Sequence, residues 1–196
     1  MPNYLIFDTS ANGKPRNWQR PADDIFNWPR MIHIAWEMYD NDQKLIKKED
    51  HIIQPVGFTI SEETATKHGV TQEMAEEQGV DIKGVLMQFK EDVDASDVIL
   101  SHNLRFNENV VGAEFVRANI RHNLHISDKY CMMEEGTYFC RIPGTKGRYK
   151  WPTLTELFQK LFKGKYEGAG NATNDVLATS ACFFRLLNAG QLEDMF

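Results

Sequence analysis

The chain has 196 residues, 42% hydrophobic and 26% charged, which excludes a disordered polymer and suits one domain with a substantial core. Its net charge of −6 argues against a broad nucleic-acid footprint but leaves room for a locally basic groove or a carboxylate-rich site. No apolar run approaches the roughly 20 residues that span a bilayer, and no basic and apolar leader opens the chain, so a cytoplasmic protein without membrane contact is expected.

Taken in order, the chain opens with Tyr4 to Ser10 (YLIFDTS), whose continuous apolar start predicts a strand buried on both faces. Its end brings Asp8 to the rim of a sheet, where open α/β folds place their sites. Strand alternation puts Asp8 and Ser10 on one face, although Asp8 also reads as a residue closing a strand before the Asn12-Gly13 turn. A loop to Pro29 carries Trp18, Phe26 and Trp28, expected to tuck beneath it as a satellite cluster. Met31–Tyr39 and Leu45–Ile53 flank the polar turn Asp40–Gln43 as a hairpin, with His33 in a structural role opposite Ile32 and Ile34. Three consecutive strands are therefore expected.

Ser61-Glu62-Glu63 signals a helix that stops at His68-Gly69, and Thr71 opens a second short one. Val80–Ala95 has a near-3.6 apolar period and predicts an amphipathic helix. Asp97–Leu100 reads as a short strand ending on Ser101-His102-Asn103, followed by a helix over Asn107–Ala118. A short strand is expected within Leu124–Met132, a Gly- and cation-rich loop at Cys140–Lys150, and helices at Leu154–Phe162, after Pro152, and at Asn174–Asn188. Cys131, Cys140 and Cys182 are too few and too scattered for a disulfide framework or a zinc site. Gln191–Phe196 is too short to read as a partner-binding peptide. With no repeat or linker, residues 1–196 read as a single α/β domain with a mixed sheet and helices on both faces.

Cations gather at Lys14–Arg20, Arg141–Lys150 and Lys160–Lys165, each either a solvated loop or a set of phosphate contacts. Trp18 and Tyr149 are the aromatics in or beside these loops best suited to stack on bases.

Three separated segments share a pattern: Phe7-Asp8-Thr9-Ser10, His102-Asn103-Leu104-Arg105-Phe106-Asn107, and Gly168 through Asp175. In order and spacing they resemble the DnaQ-like (DEDDh) 3′–5′ exonucleases, a family that includes the proofreading subunit of bacterial DNA polymerase III. Lys67 to Thr71 and Trp151 to Leu157 resemble two further family segments, so the resemblance runs over residues 4–188. It implies a ribonuclease H-like mixed five-stranded sheet, three antiparallel N-terminal strands followed by parallel ones. It also implies two Mg²⁺ or Mn²⁺ ions held by carboxylates, a histidine base, and a single-stranded nucleic acid 3′ end as substrate. Thr9, His102, Asn103 and Phe106 would border that substrate, and a DNA polymerase subunit is an implied partner.

Position by position, Asp8 and Asp175 match the first and last carboxylates and would be the catalytic and metal-holding residues. The family's glutamate, second aspartate and histidine stand here as Ser10, Asn107 and Gly170. Of the neighbours, Glu108 points about a third of a turn away, and Glu167 lies on a Gly-rich loop. Three readings follow. Catalysis is lost or strongly reduced while a nucleic-acid cleft persists; an altered ligand set with Asp8 and Asp175 sharing one ion still hydrolyses 3′ ends; or an idle cleft belongs to a protein-interaction module.

Overall fold

The computed structural model describes residues 3–124 and 128–192 and builds its sheet around Tyr4–Ala11 (β1), a strand buried along its whole length. On one side β1 pairs antiparallel with Met31–Tyr39 (β2), which pairs antiparallel with Leu45–Ile52 (β3). On the other side β1 runs parallel to Val98–Ser101 (β4), and β4 runs parallel to Asp128–Cys131 (β5). The sheet is therefore mixed and five-stranded, in the order β3-β2-β1-β4-β5. Because β1 and β4 run the same way, their C-terminal ends lie side by side, and the residues after both can meet.

Strand alternation divides the interior in two. Leu5 and Phe7 enter one core with Val85, Leu86 and Phe89 of Ile82–Asp94 (the third helix, α3) and Val110, Val111 and Phe115 of Leu104–Arg117 (α4). Tyr4 and Ile6 enter the other with Leu154 and Leu157 of Leu154–Phe162 (α6) and Cys182, Phe183 and Leu186 of Ala172–Asn188 (α7). Helices thus cover both faces. The two short helices before α3, Glu62–His68 (α1) and Gln72–Gln78 (α2), start at Ser61 and Thr71, whose hydroxyls accept from the Thr64 and Met74 amides. Gly69, at φ 74°, closes α1 in the left-handed conformation that glycine adopts at no steric cost. Thr153 and Glu156 form a reciprocal capping box at the start of α6.

The start of α7 is fixed from several directions. Asn171 caps it through the Thr173 amide at 3.2 Å and also donates to the His68 carbonyl at 3.1 Å. Thr173 donates to Asp50 at 2.7 Å, and Asp50 is paired with His33 at 2.6 Å. Farther along, the Ser180 hydroxyl donates to buried Glu37 on β2 at 2.8 Å. His33 is accordingly part of the frame.

Several expectations are corrected. Asn103 takes a left-handed backbone (φ 61°), so α4 begins at Leu104 and Asn107 sits within its first turn rather than at its start. A helix at Met132–Cys140 (α5) stands where no element was predicted. The 140–150 loop is pinched by a bridge between Pro143 and Tyr149. Of the three aromatics in the 12–30 loop, only Trp28 enters the core; Phe26 is 81% exposed and Trp18 45%. The expected strand at Leu124–Met132 is β5 over Asp128–Cys131, with residues 125–127 outside the described residues, as is most of Gln191–Phe196.

Candidate functional site

A cleft of about 620 Å³ opens at the C-terminal ends of β1 and β4 and is walled by the starts of α4, α6 and α7. Asp8, Thr9, His102, Asn103, Phe106, Asn107, Gly170 and Asp175 all line it. Ser10 lies just behind, fully buried, its hydroxyl donating to the Gly170 carbonyl at 3.3 Å. The chain thus brings together residues from positions 8 to 175.

Asn107 is the hub. Its Oδ1 accepts from the Thr9 amide at 3.1 Å and from the Thr9 hydroxyl at 2.7 Å. A backbone N–H can only donate, so this bond assigns the amide's orientation. Its Nδ2 consequently faces acceptors: Asp8 Oδ1 at 2.7 Å, the Ser101 hydroxyl at 2.6 Å and the His102 carbonyl at 3.1 Å. A carboxylate in that place would set a second anionic oxygen against Asp8. The amide instead donates to that carboxylate, which favours the ionised form of Asp8.

Asp175 is held separately. The Gly170 amide donates to its Oδ1 and Oδ2 at 3.1 and 3.0 Å, and the Tyr166 hydroxyl donates to Oδ1 at 2.9 Å. Burial pushes both carboxyls up, Asp8 well above the usual carboxylate range, and the charge of Asp175 raises Asp8 further. Asn107 and Lys67 pull Asp8 the other way, while Gly170, Tyr166 and Lys67 do the same for Asp175. Lys67, from the end of α1, also lines the cleft.

Gly170 has φ +95°, and a Cβ there would come within 3.0 Å of the Lys67 carbonyl. The position is built for glycine. Its own carbonyl accepts from His68 Nδ1 as well as from Ser10. His102 donates through Nε2 to the Pro152 carbonyl at 3.1 Å, and burial drives its pKa down to about 4, so it is a neutral imidazole. Its Nδ1 is buried and has no hydrogen-bond partner among the described residues. Phe106 packs against Trp18 and Trp28, with ring centroids 5.8 and 6.4 Å away.

Glu108 is paired with Lys129, Glu167 is exposed, and neither lines the cleft. Among the described residues no group of three or more His, Cys, Asp or Glu side chains is gathered as a metal site. With Asn107 presenting a donor to Asp8, and Ser10 and Gly170 offering no anionic oxygen or imidazole, the donor set does not fit a two-ion cage. Sequence reasoning overlooked Tyr166 and the charge of Lys67. The first lies in a Gly-rich approach to α7 with no motif, and the second was quoted only as part of a connecting segment.

No family model matches the chain, and no curated protein does. Among solved structures it is similar to E. coli Exonuclease I in complex with a dT13 oligonucleotide, with TM-score 0.72 and 17% identity, covering 98% of this chain and 42% of that one. The zinc-bound E. coli Exonuclease I–single-stranded DNA complex gives TM-score 0.73 at 17% identity, covering 100% and 42%. A complex of exonuclease I with SSB-Ct gives 0.70 at 15%, covering 98% and 42%. The chain spans less than half the length of these proteins. It has the ribonuclease H-like fold found in those exonucleases.

Proposed function

We propose that this chain is a DnaQ-like exonuclease-type domain whose cleft binds the 3′ end of single-stranded nucleic acid with hydrolysis lost or strongly reduced. The Asn107 amide carries the reading, because it turns an N–H donor toward Asp8 Oδ1 at 2.7 Å where the family's second aspartate would present an anionic oxygen. Gly170 stands where the family's base would be, and loss of a general base alone typically costs about 10²–10⁴ in rate. Mg²⁺ or Mn²⁺ binding is expected to be weak and limited to one ion between Asp8 and Asp175. Binding needs less than catalysis. Phe106 offers an apolar ring at the cleft wall, and Lys67 brings a cation to the same cleft.

Fluorescence anisotropy with a 5′-labelled thymidylate dodecamer in EDTA tests binding, and release of mononucleotides with Mg²⁺ or Mn²⁺ tests hydrolysis. Binding without release is expected. Brisk metal-dependent release that disappears in Asp8→Ala would establish a working enzyme with an altered ligand set. Absence of binding would leave the cleft idle and favour a protein-interaction module.

A further inference from the structure

A second concavity, of about 630 Å³, lies beside the cleft, between α5 and the short hairpin closed by the Pro143–Tyr149 bridge. Trp151 lines both, so the two adjoin at its side chain. Three large aromatics border the second groove while remaining open to solvent: Tyr138 at 77%, Tyr149 at 46% and Trp151 at 60%. Tyr138 and Tyr149 stand edge to face at 6.4 Å. Burial would ordinarily claim such side chains, and three exposed around one groove call for a ligand.

The hairpin holds them there. Gly144 donates to the Arg148 carbonyl at 2.8 Å, and a Cβ on it would meet that oxygen at the same 2.8 Å. Lys146 and Gly147 take positive φ at the tip, which leaves Lys146 and Arg148 exposed beside the aromatics. The net charge is −6, so this cationic tip is a local exception. Glu134 also lines the groove and disfavours phosphate inside it, leaving flat uncharged rings as the groups the groove accepts, with phosphates at the cationic rim.

From these placements we infer that the groove is a base-stacking track for single-stranded nucleic acid, taking the nucleotides immediately 5′ of a terminus seated in the Asp8–Asp175 cleft. The inference rests on the nucleic-acid reading of that cleft. The shared Trp151 wall and the exposed Lys146 and Arg148 at the hairpin tip favour nucleic acid as the occupant. Each stacked base is worth roughly fivefold to 150-fold in affinity.

The test compares 5′-fluorescein thymidylate tetramer and dodecamer by anisotropy in EDTA, for the wild type and for Tyr138→Ala plus Tyr149→Ala. Thermal melting serves as the folding control. The tetramer is held by the cleft alone, whereas the dodecamer also runs over the groove. The wild type is expected to bind the dodecamer at least tenfold tighter, the alanine pair to close most of that gap, and Tyr138→Phe plus Tyr149→Phe to restore it. Trp151→Ala should weaken both oligonucleotides. If the tetramer binds and the gap survives in the alanine pair, or no gap exists in the wild type, the groove is not the track while the cleft reading stands. Should neither oligonucleotide bind, both readings fall.

Discussion

At Asp8 burial and charge oppose one another within one carboxylate. It is buried and faces the like charge of Asp175, so its pKa in the folded chain lies well above the ordinary range. A raised folded-state pKa means that the native state holds the proton more tightly than the unfolded chain. The associated stability is present at low pH and is lost as pH climbs through the folded value. Asp8→Asn should therefore stabilise the protein at neutral pH by about 0.5–2 kcal/mol, a few degrees in Tm, and flatten the decline between acidic and neutral pH. The new amide keeps an oxygen for Asn107 Nδ2. Thermal melts across pH decide it, and a lower Tm for the variant at pH 7 would show that Asp8 is needed as an anion. The opposite change, Asn107→Asp, sets two carboxylate oxygens where a 2.7 Å hydrogen bond now stands. It should lower Tm in EDTA and make Tm respond to Mn²⁺, since a ligand that binds only the native state stabilises it by mass action. Gly170→His is a different matter. At φ +95°, with the Lys67 carbonyl 3.0 Å from any Cβ, a histidine there forces residues 168–171 to move. Adding it to Ser10→Glu and Asn107→Asp should cost stability and leave hydrolysis at the wild-type level. Release of 3′ nucleotides by a well-folded triple variant would show that the loop adapts. The substitutions at positions 10, 107 and 170 were visible in the sequence. What they had become was not, because the amide's orientation and the glycine's φ depend on partners about a hundred residues away, Thr9 for Asn107 and Lys67 for Gly170.

Elements whose own residues specify them were legible in sequence, and those specified by distant neighbours were not. β2 at Met31–Tyr39 and α6 at Leu154–Phe162 fall on their predicted bounds, one from its β-prone run and the other from the Pro152 start signal, although Thr153 is the cap and Pro152 stands just before it rather than as the first helical residue. By contrast α5 reads MMEEGTYFC, with a mid-helix glycine that sequence rules penalise. There the space decides: a Cβ on Gly136 would stand 3.1 Å from Leu157 of α6, so glycine lets the two helices close together. The loop over residues 12–30 is likewise ordered by tertiary bonds. Buried Glu114 of α4 accepts through Oε1 from Arg30 at 2.9 Å, the Met31 amide at 3.0 Å and Arg117 at 2.8 Å. Arg117 in turn donates to the Trp28 carbonyl at 2.7 Å and to the Ile25 carbonyl. Glu114→Ala removes the carboxylate and leaves two guanidinium groups uncompensated, one of them half-buried, for an expected cost of about 3–5 kcal/mol. A urea midpoint close to wild type would show that the loop and α4 hold together without it.

Across the whole molecule, an acidic chain places two of its cation-bearing loops beside residues that line the cleft. The 14–20 loop is tied to the start of α4, where Arg105 donates to Gln19 at 3.3 Å and Trp18 packs on Phe106. The 141–150 segment ends at Trp151, on the cleft's other wall. The fold expected from segments spread over residues 4–188, a mixed five-stranded sheet with helices on both faces, is the one the chain shares with E. coli Exonuclease I at a TM-score of 0.72 and only 17% identity. Phosphate contact at these loops has a signature that composition alone does not give. Each phosphate neutralised releases condensed counterions, and for single strands the slope of log K against log salt is about −0.7 per contact. Arg148 and Lys146 sit exposed at the hairpin tip, whereas Lys150 is already paired with Glu156 at 2.7 Å. Lys146→Ala plus Arg148→Ala should therefore weaken binding of a thymidylate dodecamer at low salt and reduce the magnitude of the slope by about 1.4. Lys150→Ala should leave the slope nearly unchanged, because its charge is engaged within the protein. Anisotropy titrations at a series of salt concentrations separate the two. An unchanged slope in the double variant would move the phosphate contacts to the 14–20 loop, and salt-independent binding by the wild type would remove phosphate contact altogether.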